Sequence, residues 1–180
     1  MVDLRGRGLS EYAKDSSTYN PKQYISDIIM LMDEQKIEKV VFFGTSLGGI
    51  VTMIMAKMYP ARVAGALLND IGPELDQKGL DRIADHVGQG RSFDTWAHAA
   101  RDMADSSRDI FPDFTLKDWI EFAKKVYRMN SSGRIKLDYD MKIAEPFDSK
   151  GGGSGAMWNA LENMKDIPTL ILRGELSDLF

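Results

Sequence analysis

The sequence predicts an α/β protein: a central, mostly parallel sheet flanked by helices, with a helical cap inserted between two core strands. Three observations lead there. Lys39 to Tyr59 runs from an apolar block through Gly44-Thr45-Ser46-Leu47-Gly48-Gly49 into a second apolar block with helical spacing, so it reads as strand, sharp turn and helix. The surrounding segments follow the order helix, strand, helix, strand, which implies parallel pairing with right-handed crossovers. From about Glu74 to Asn163 helical periodicity takes over with no intervening core strand, and a last apolar run, Thr169 to Leu172, returns to the sheet.

Each element has a local reason. Asp3 to Ser10 contains Gly6 and Gly8 and reads as a loop leaving a strand stub at Val2. Asn20-Pro21-Lys22-Gln23 opens a helix with an N-cap Asn, Pro at the first helical position and Gln where a capping box places it. Tyr24, Ile28, Leu31 and Met32 give that helix an apolar stripe to about Gln35, set against a sheet. Val40, Val41, Phe42 and Phe43 form a β-branched and aromatic block suited to a strand buried on both faces. Ile50, Val51, Met53, Ile54, Met55 and Met58 are apolar nearly all round, so the helix after the turn is deeply packed. Pro60-Ala61-Arg62 breaks it, and Val63 to Leu68 reads as another buried strand ending in Asn69-Asp70-Ile71-Gly72-Pro73.

The cap segment reads as three helices. Leu80, Ile83, Ala84 and Val87 mark the first; Ser92 caps a second carrying Phe93, Trp96, Ala97, Ala100 and Met103. Thr115 with Asp118 opens a third, with Leu116, Trp119, Ile120, Ala123, Val126 and Tyr127 on its apolar side. Gly151-Gly152-Gly153-Ser154-Gly155 is a flexible connector. Ala156 to Met164 makes a last helix, and Thr169 to Arg173 a short buried strand. The expected division is 1–73 and 164–180 for the core and 74–163 for the cap.

Composition narrows the chemistry. The chain has 180 residues, no cysteine and a net charge of −4. The mild acidity supplies no electrostatic reason for a nucleic acid or an anionic membrane as partner. Without Cys, and with only His86 and His98, no disulfide or convincing zinc site is expected. No secretory signal opens the chain, so a cytoplasmic protein acting on a small molecule, with no metal and no cofactor, is the expectation.

Gly44-x-Ser46-x-Gly48 between a buried strand and a buried helix is the nucleophile-elbow pattern. A dinucleotide fingerprint needs glycine where Ser46 stands, and a phosphate-binding loop needs Gly-Lys-Ser/Thr where this chain has Leu-Gly-Gly. A serine hydroxyl needs a base and an electropositive pocket to become a nucleophile. The Leu47 amide, at the N-terminus of the following helix, supplies part of that pocket. Gly44 and Gly48 are expected to avoid collisions across the turn, and Gly49 to let helix and strand approach.

These residues resemble the α/β-hydrolase fold family, specifically its serine hydrolases with a helical cap. The likeness covers nearly the whole chain: Asp3-Leu4-Arg5-Gly6-Arg7-Gly8-x-Ser10 looks like the loop after the family's fourth strand, and Gly44 to Gly49 like its elbow. Asn69 to Pro73 resembles the end of the sixth strand, and Pro168 to Asp178 the seventh strand and the acid-bearing loop. The resemblance implies Ser46 as nucleophile, Asp178 as triad acid, Leu47 as an oxyanion-hole donor, and an ester, lactone or carbon–carbon bond as target. Cofactor-free haloperoxidases share the architecture, and a non-catalytic protein binding an apolar ligand under the cap is the other alternative. Serine at position 46 argues against the dehalogenase branch.

Asp70, at the end of the neighbouring strand, is the alternative acid. Asp3 and Arg5 are expected to brace the nearby loop. Trp96, Trp119 and Trp158 either line a substrate pocket or form ordinary cap core. In this fold the triad runs Ser, acid, His, and only Leu179 and Phe180 follow Asp178. His86 and His98 precede the acid. The chain is therefore expected to be a fragment of a longer hydrolase, marginally stable and nearly inactive by itself.

Overall fold

The computed structural model describes residues 1–146 and 154–179. The glycine-rich connector predicted at 151–155 falls partly outside them; Ser154 and Gly155 begin the last helix. In chain order the elements are α1 (Pro21–Glu34), β1 (Val40–Thr45), α2 (Leu47–Met58), β2 (Val63–Asn69), α3 (Gln77–Ala84), β3 (Ser92–Phe93), α4 (Trp96–Ser107), α5 (Leu116–Val126), β4 (Tyr127–Met129), β5 (Ile135–Leu137), α6 (Ser154–Glu162) and β6 (Thr169–Leu172).

The main sheet has the order β1-β2-β6 and is parallel throughout. Its register sets Thr45 beside Asn69 and Asn69 beside Leu172, so the three strands end level. The residues that follow, Ser46, Asp70 and Arg173, therefore leave the sheet along one carboxyl edge, which is where open α/β sheets build their sites.

One face of this sheet is covered by α2, on which α1 and α6 pack in turn. Val51, Met53, Met55 and Ala56 of α2 are buried against Ala66 and Leu68 of β2, together with Tyr24, Ile25 and Met32 of α1. Each such large side chain contributes about 1.5–3 kcal/mol. Leu80, Ile143, Ala160, Met164 and Leu179 belong to the same cluster. The opposite face is different. Val41 and Phe43 are 71% and 73% exposed, and Leu170 and Leu172 on the same face are also exposed; Ile171, in register with the buried Leu68, faces the α2 side and is exposed at the sheet edge. The expectation of a first strand buried on both faces, and of a buried last strand, fails here because no described residue packs on that side. A continuous apolar block is compatible with either outcome, since composition does not reveal whether a second layer is present.

α1 forms as its start signal predicts: Asn20 Oδ1 accepts from the Gln23 amide at 3.0 Å, with Pro21 at the first position. The Gln23 side chain does not close a reciprocal box; it donates to Asp27 at 3.0 Å. α5 does have the full capping box, with the Thr115 amide donating to Asp118 Oδ2 at 2.8 Å and the Asp118 amide to Thr115 Oγ1 at 3.4 Å.

Between α3 and α6 the chain builds a second apolar cluster. α4 and α5 meet through Ala99, Ala100, Ala104 and Ala123, small residues that let the helices approach closely, with Trp119 among Phe111, Phe114 and Phe122. A small antiparallel sheet of order β3-β5-β4 closes this cluster. It corrects the all-helical expectation for the segment. Thr95, not Ser92, caps α4. Phe93 lies in β3, edge-to-face with Tyr127 of β4 at 5.6 Å. Strands of two or three residues are too short to show a period of two. Among the described residues no helix is long and apolar enough to cross a membrane.

Candidate active site

Ser46 sits between β1 and α2 with φ 51° and ψ −118°, a conformation that costs a non-glycine residue on the order of 1–3 kcal/mol. The surroundings impose it. The Ser46 amide donates to the Asn69 carbonyl at 3.2 Å, which ties the turn to β2, while the Ser46 carbonyl accepts from Gly49 and Ile50 at 2.8 and 3.2 Å and starts the helix. Asn69 grips the turn a second time, its side-chain amide donating to Thr45 Oγ1 at 3.2 Å.

The glycines divide the work differently from the expectation. A Cβ on Gly44 would lie 2.5 Å from the Gly48 carbonyl oxygen and 2.6 Å from the Gly49 nitrogen, so Gly44 is required. A Cβ on Gly49 would run into the Ile71 side chain and lie 3.2 Å from the Gly44 oxygen, as predicted for the close strand–helix approach. Gly48, expected to avoid a collision, faces open space: nothing lies within 4 Å of its would-be Cβ. It is the first-turn position pointing away from the strand.

The Ser46 side chain is half-buried and its hydroxyl makes no hydrogen bond among the described residues. Leu47 is the first residue of α2, so its amide has no partner within the helix, and no other described group accepts from it. A free amide at a helix N-terminus, next in sequence to a free hydroxyl, can hold the oxyanion that develops when that hydroxyl attacks a carbonyl.

The two candidate acids have separate partners. Asp70, also in the left-handed region at φ 53°, accepts from the Gly174 amide at 3.2 Å and from Ser177 Oγ at 2.8 Å. Ser177 Oγ in turn accepts from the Leu179 amide at 3.2 Å. Asp70 thus braces the loop after β6. Asp178 lies on that loop, 19% exposed at its side chain, and takes a two-pronged bond from Arg82 of α3: Nε to Oδ2 at 2.8 Å and Nη2 to Oδ1 at 2.7 Å. The Arg82 hydrogen bonds hold the Asp178 carboxyl below the usual carboxylate range, against the opposing effect of burial.

Among the described residues no hydrogen bond links Ser46 with Asp70, Asp178 or either histidine. His86 Nδ1 lies 2.8 Å from the Arg82 carbonyl oxygen, and His98 is exposed on the first turn of α4. The tryptophans do not converge. Trp119 is buried in the second cluster, Trp96 packs at its border with Lys124 over its ring, and Trp158 on α6 is largely exposed and donates to Glu74 at 2.8 Å. Asp3 and Arg5 do brace their loop. Arg5 makes two 2.6 Å bonds to Asp27, and Asp3 accepts from the Leu9 amide at 3.0 Å. A groove of about 550 Å³ beside that loop is lined by Asp3, Arg5, Tyr12 and Asp27 but by none of the elbow or acid-loop residues. Arg82 escaped the sequence reading because its partner is 96 positions away and no local pattern joins them.

The chain is 32% identical over 185 residues to a 3-hydroxybutyrate-oligomer hydrolase of Cupriavidus necator, covering 98% of this chain and 62% of that protein. It is 24% identical to a 2-succinyl-6-hydroxy-2,4-cyclohexadiene-1-carboxylate synthase assignment in Bacillus subtilis, covering 99% of this chain and 64% of that one. The crystal structure of an alpha/beta hydrolase from Novosphingobium aromaticivorans superimposes with a TM-score of 0.93 at 49% identity, over 99% of this chain and 63% of that chain. The chain thus spans a little under two thirds of the length of these relatives. The alpha/beta hydrolase fold family matches residues 1–180, and the chain belongs to that family.

Proposed function

We propose that Ser46 is the nucleophile of a serine hydrolase that cleaves an ester, lactone or carbon–carbon bond in a small, partly apolar substrate. One observation carries this: a serine held at φ 51° at the carboxyl edge of a parallel sheet, its hydroxyl unbonded beside the unbonded Leu47 amide. In an ester, Ser46 Oγ attacks the carbonyl carbon while a histidine takes its proton. The oxyanion is met by the Leu47 amide; the intermediate collapses, the alcohol leaves with that proton, and an acyl-enzyme remains. Water, activated by the same base, then releases the acid.

Asp178 serves as the acid that orients the histidine, at the place the family resemblance assigns to it; Asp70, whose oxygens accept from Gly174 and Ser177, supports the loop that carries it and is the alternative acid. The family's chain order places the histidine after the acid, and His86 and His98 precede it. Chain 1–180 alone is therefore expected to turn over esters barely, if at all. The relative from Cupriavidus necator makes an ester of a short hydroxy acid the first substrate to try. The net charge of −4 and the edge placement of the site favour a small molecule over a nucleic acid or membrane surface. The test is hydrolysis of 3-hydroxybutyrate dimers and p-nitrophenyl butyrate by the longest protein that carries these residues, with Ser46→Ala beside it. Turnover abolished by the substitution is expected; turnover that survives it contradicts the assignment.

A further inference from the structure

We infer that Arg82 of α3 is a positioning residue for Asp178, holding the acid in one rotamer and coupling the segment after β2 to the loop after β6. The assignment rests on the serine-hydrolase function proposed above. Its basis is a dock made of three contacts. The guanidinium fork meets both carboxylate oxygens at 2.7 and 2.8 Å, which fixes the plane of the carboxylate as well as its place. The Asp76 amide, at the N-cap of α3, donates to the Leu179 carbonyl at 2.9 Å. Between them Gly79 lies so close to the acid loop that a Cβ would stand 2.5 Å from the Asp178 carbonyl oxygen and 2.9 Å from the Leu179 Cα. Leu80 and Leu179 are buried in the same cluster beneath the contact. A helix seated this tightly cannot shift without releasing the acid.

The fork does not exclude a histidine. A carboxylate offers about four acceptor sites, and a two-pronged arginine uses one on each oxygen. A lone pair remains on each for an imidazole N–H, and the side chain is not sealed from its surroundings. Asp70 supports the same loop from the sheet side through Gly174 and Ser177. The acid is thereby held between a strand end and a helix.

The charged groups that act on Asp178 are Arg82 and, more weakly, Lys78, both on α3; Asp70 acts on Arg82 in turn. Removing the guanidinium is expected to let the Asp178 carboxyl rise toward the ordinary range. Carboxyl carbon NMR on aspartate-labelled chain 1–180, with Asp178→Asn to assign the signal, measures this in wild type, Arg82→Gln and Arg82→Lys. Lysine is expected to restore the low value only in part, because it lacks the fork. An Asp178 titration identical in all three overturns the assignment.

The catalytic arm uses the longest protein that carries these residues, on p-nitrophenyl butyrate. Arg82→Gln is expected to lower kcat about 10- to 100-fold at little change in KM, and to move the acid limb of the kcat profile upward, since a histidine bonded to Asp178 no longer sits near a cation. An unchanged acid limb and kcat, with Ser46→Ala inactive, overturns the role of Arg82 alone. Full activity in Ser46→Ala instead overturns the underlying hydrolase function.

Discussion

The pair Gly44→Ala and Gly48→Ala separates a glycine the elbow cannot lose from one it does not need. At Gly44 the new methyl would meet three backbone atoms at 2.5–2.6 Å, about 1 Å inside an ordinary contact, and backbone cannot swing away as a side chain tip can. The strand and helix must separate, in a cluster whose buried members already touch. Overpacking of this kind costs about 1–3 kcal/mol, and a clash made wholly with backbone belongs at the upper end. For a chain of this length about 3 kcal/mol corresponds to a Tm lower by about 6–12 °C. At Gly48 nothing lies within 4 Å, and its φ is outside the left-handed region, so alanine gains helix propensity of up to about 1 kcal/mol and raises Tm by a few degrees. Thermal and urea unfolding followed by circular dichroism measure both. Equal destabilisation by the two substitutions would refute the geometry of the turn described above.

Three further outcomes follow from the same structure. Ser46→Gly should raise stability by about 1 kcal/mol by relieving the φ 51° strain, whereas Ser46→Ala should not; urea midpoints compare them. The Asp178 carboxyl is lower in the folded than in the unfolded chain, so its contribution is present above the unfolded value of about 3.9 and is lost as pH falls through the lower folded value. Arg82→Gln should accordingly cost about 1–2 kcal/mol at pH 7 and progressively less as pH falls below the unfolded value, read as Tm against pH. Phe43→Ser, on the uncovered sheet face, should change stability by less than about 0.5 kcal/mol but reduce self-association in sedimentation velocity, because Phe43 with Val41 and Leu170 makes an exposed apolar patch and such patches favour association.

How much was legible in the sequence depended on how local each feature is. The elbow was, because strand, turn and helix signals are contiguous from Val40 to Met58 and the glycine constraint at Gly44 acts across four residues. The α5 capping box was, because Thr115 and Asp118 are three apart. The three short strands were not, since Ser92–Phe93 and Tyr127–Met129 become strands only by pairing with Ile135–Leu137. Nor was the exposure of Val41 and Phe43, which depends on what covers the sheet and not on the residues themselves. The candidate site divided in the same way. Ser46 and Leu47 follow from local pattern, and Asp178 was placed by family resemblance, but its arginine and the bracing role of Asp70 rest on contacts 96 and 104 or more positions apart. The expectation that Gly48 prevents a collision failed because the motif alone does not say which side of the helix faces the strand.

The most direct measurement of the central claim is peptide mapping by mass spectrometry after treatment of the longest protein that carries these residues with a fluorophosphonate ester, which phosphonylates an activated serine. The account predicts one adduct, on Ser46, formed markedly more slowly in Asp178→Asn and absent in Ser46→Ala. An adduct on another serine, or none on Ser46 in a protein that hydrolyses esters, would contradict it.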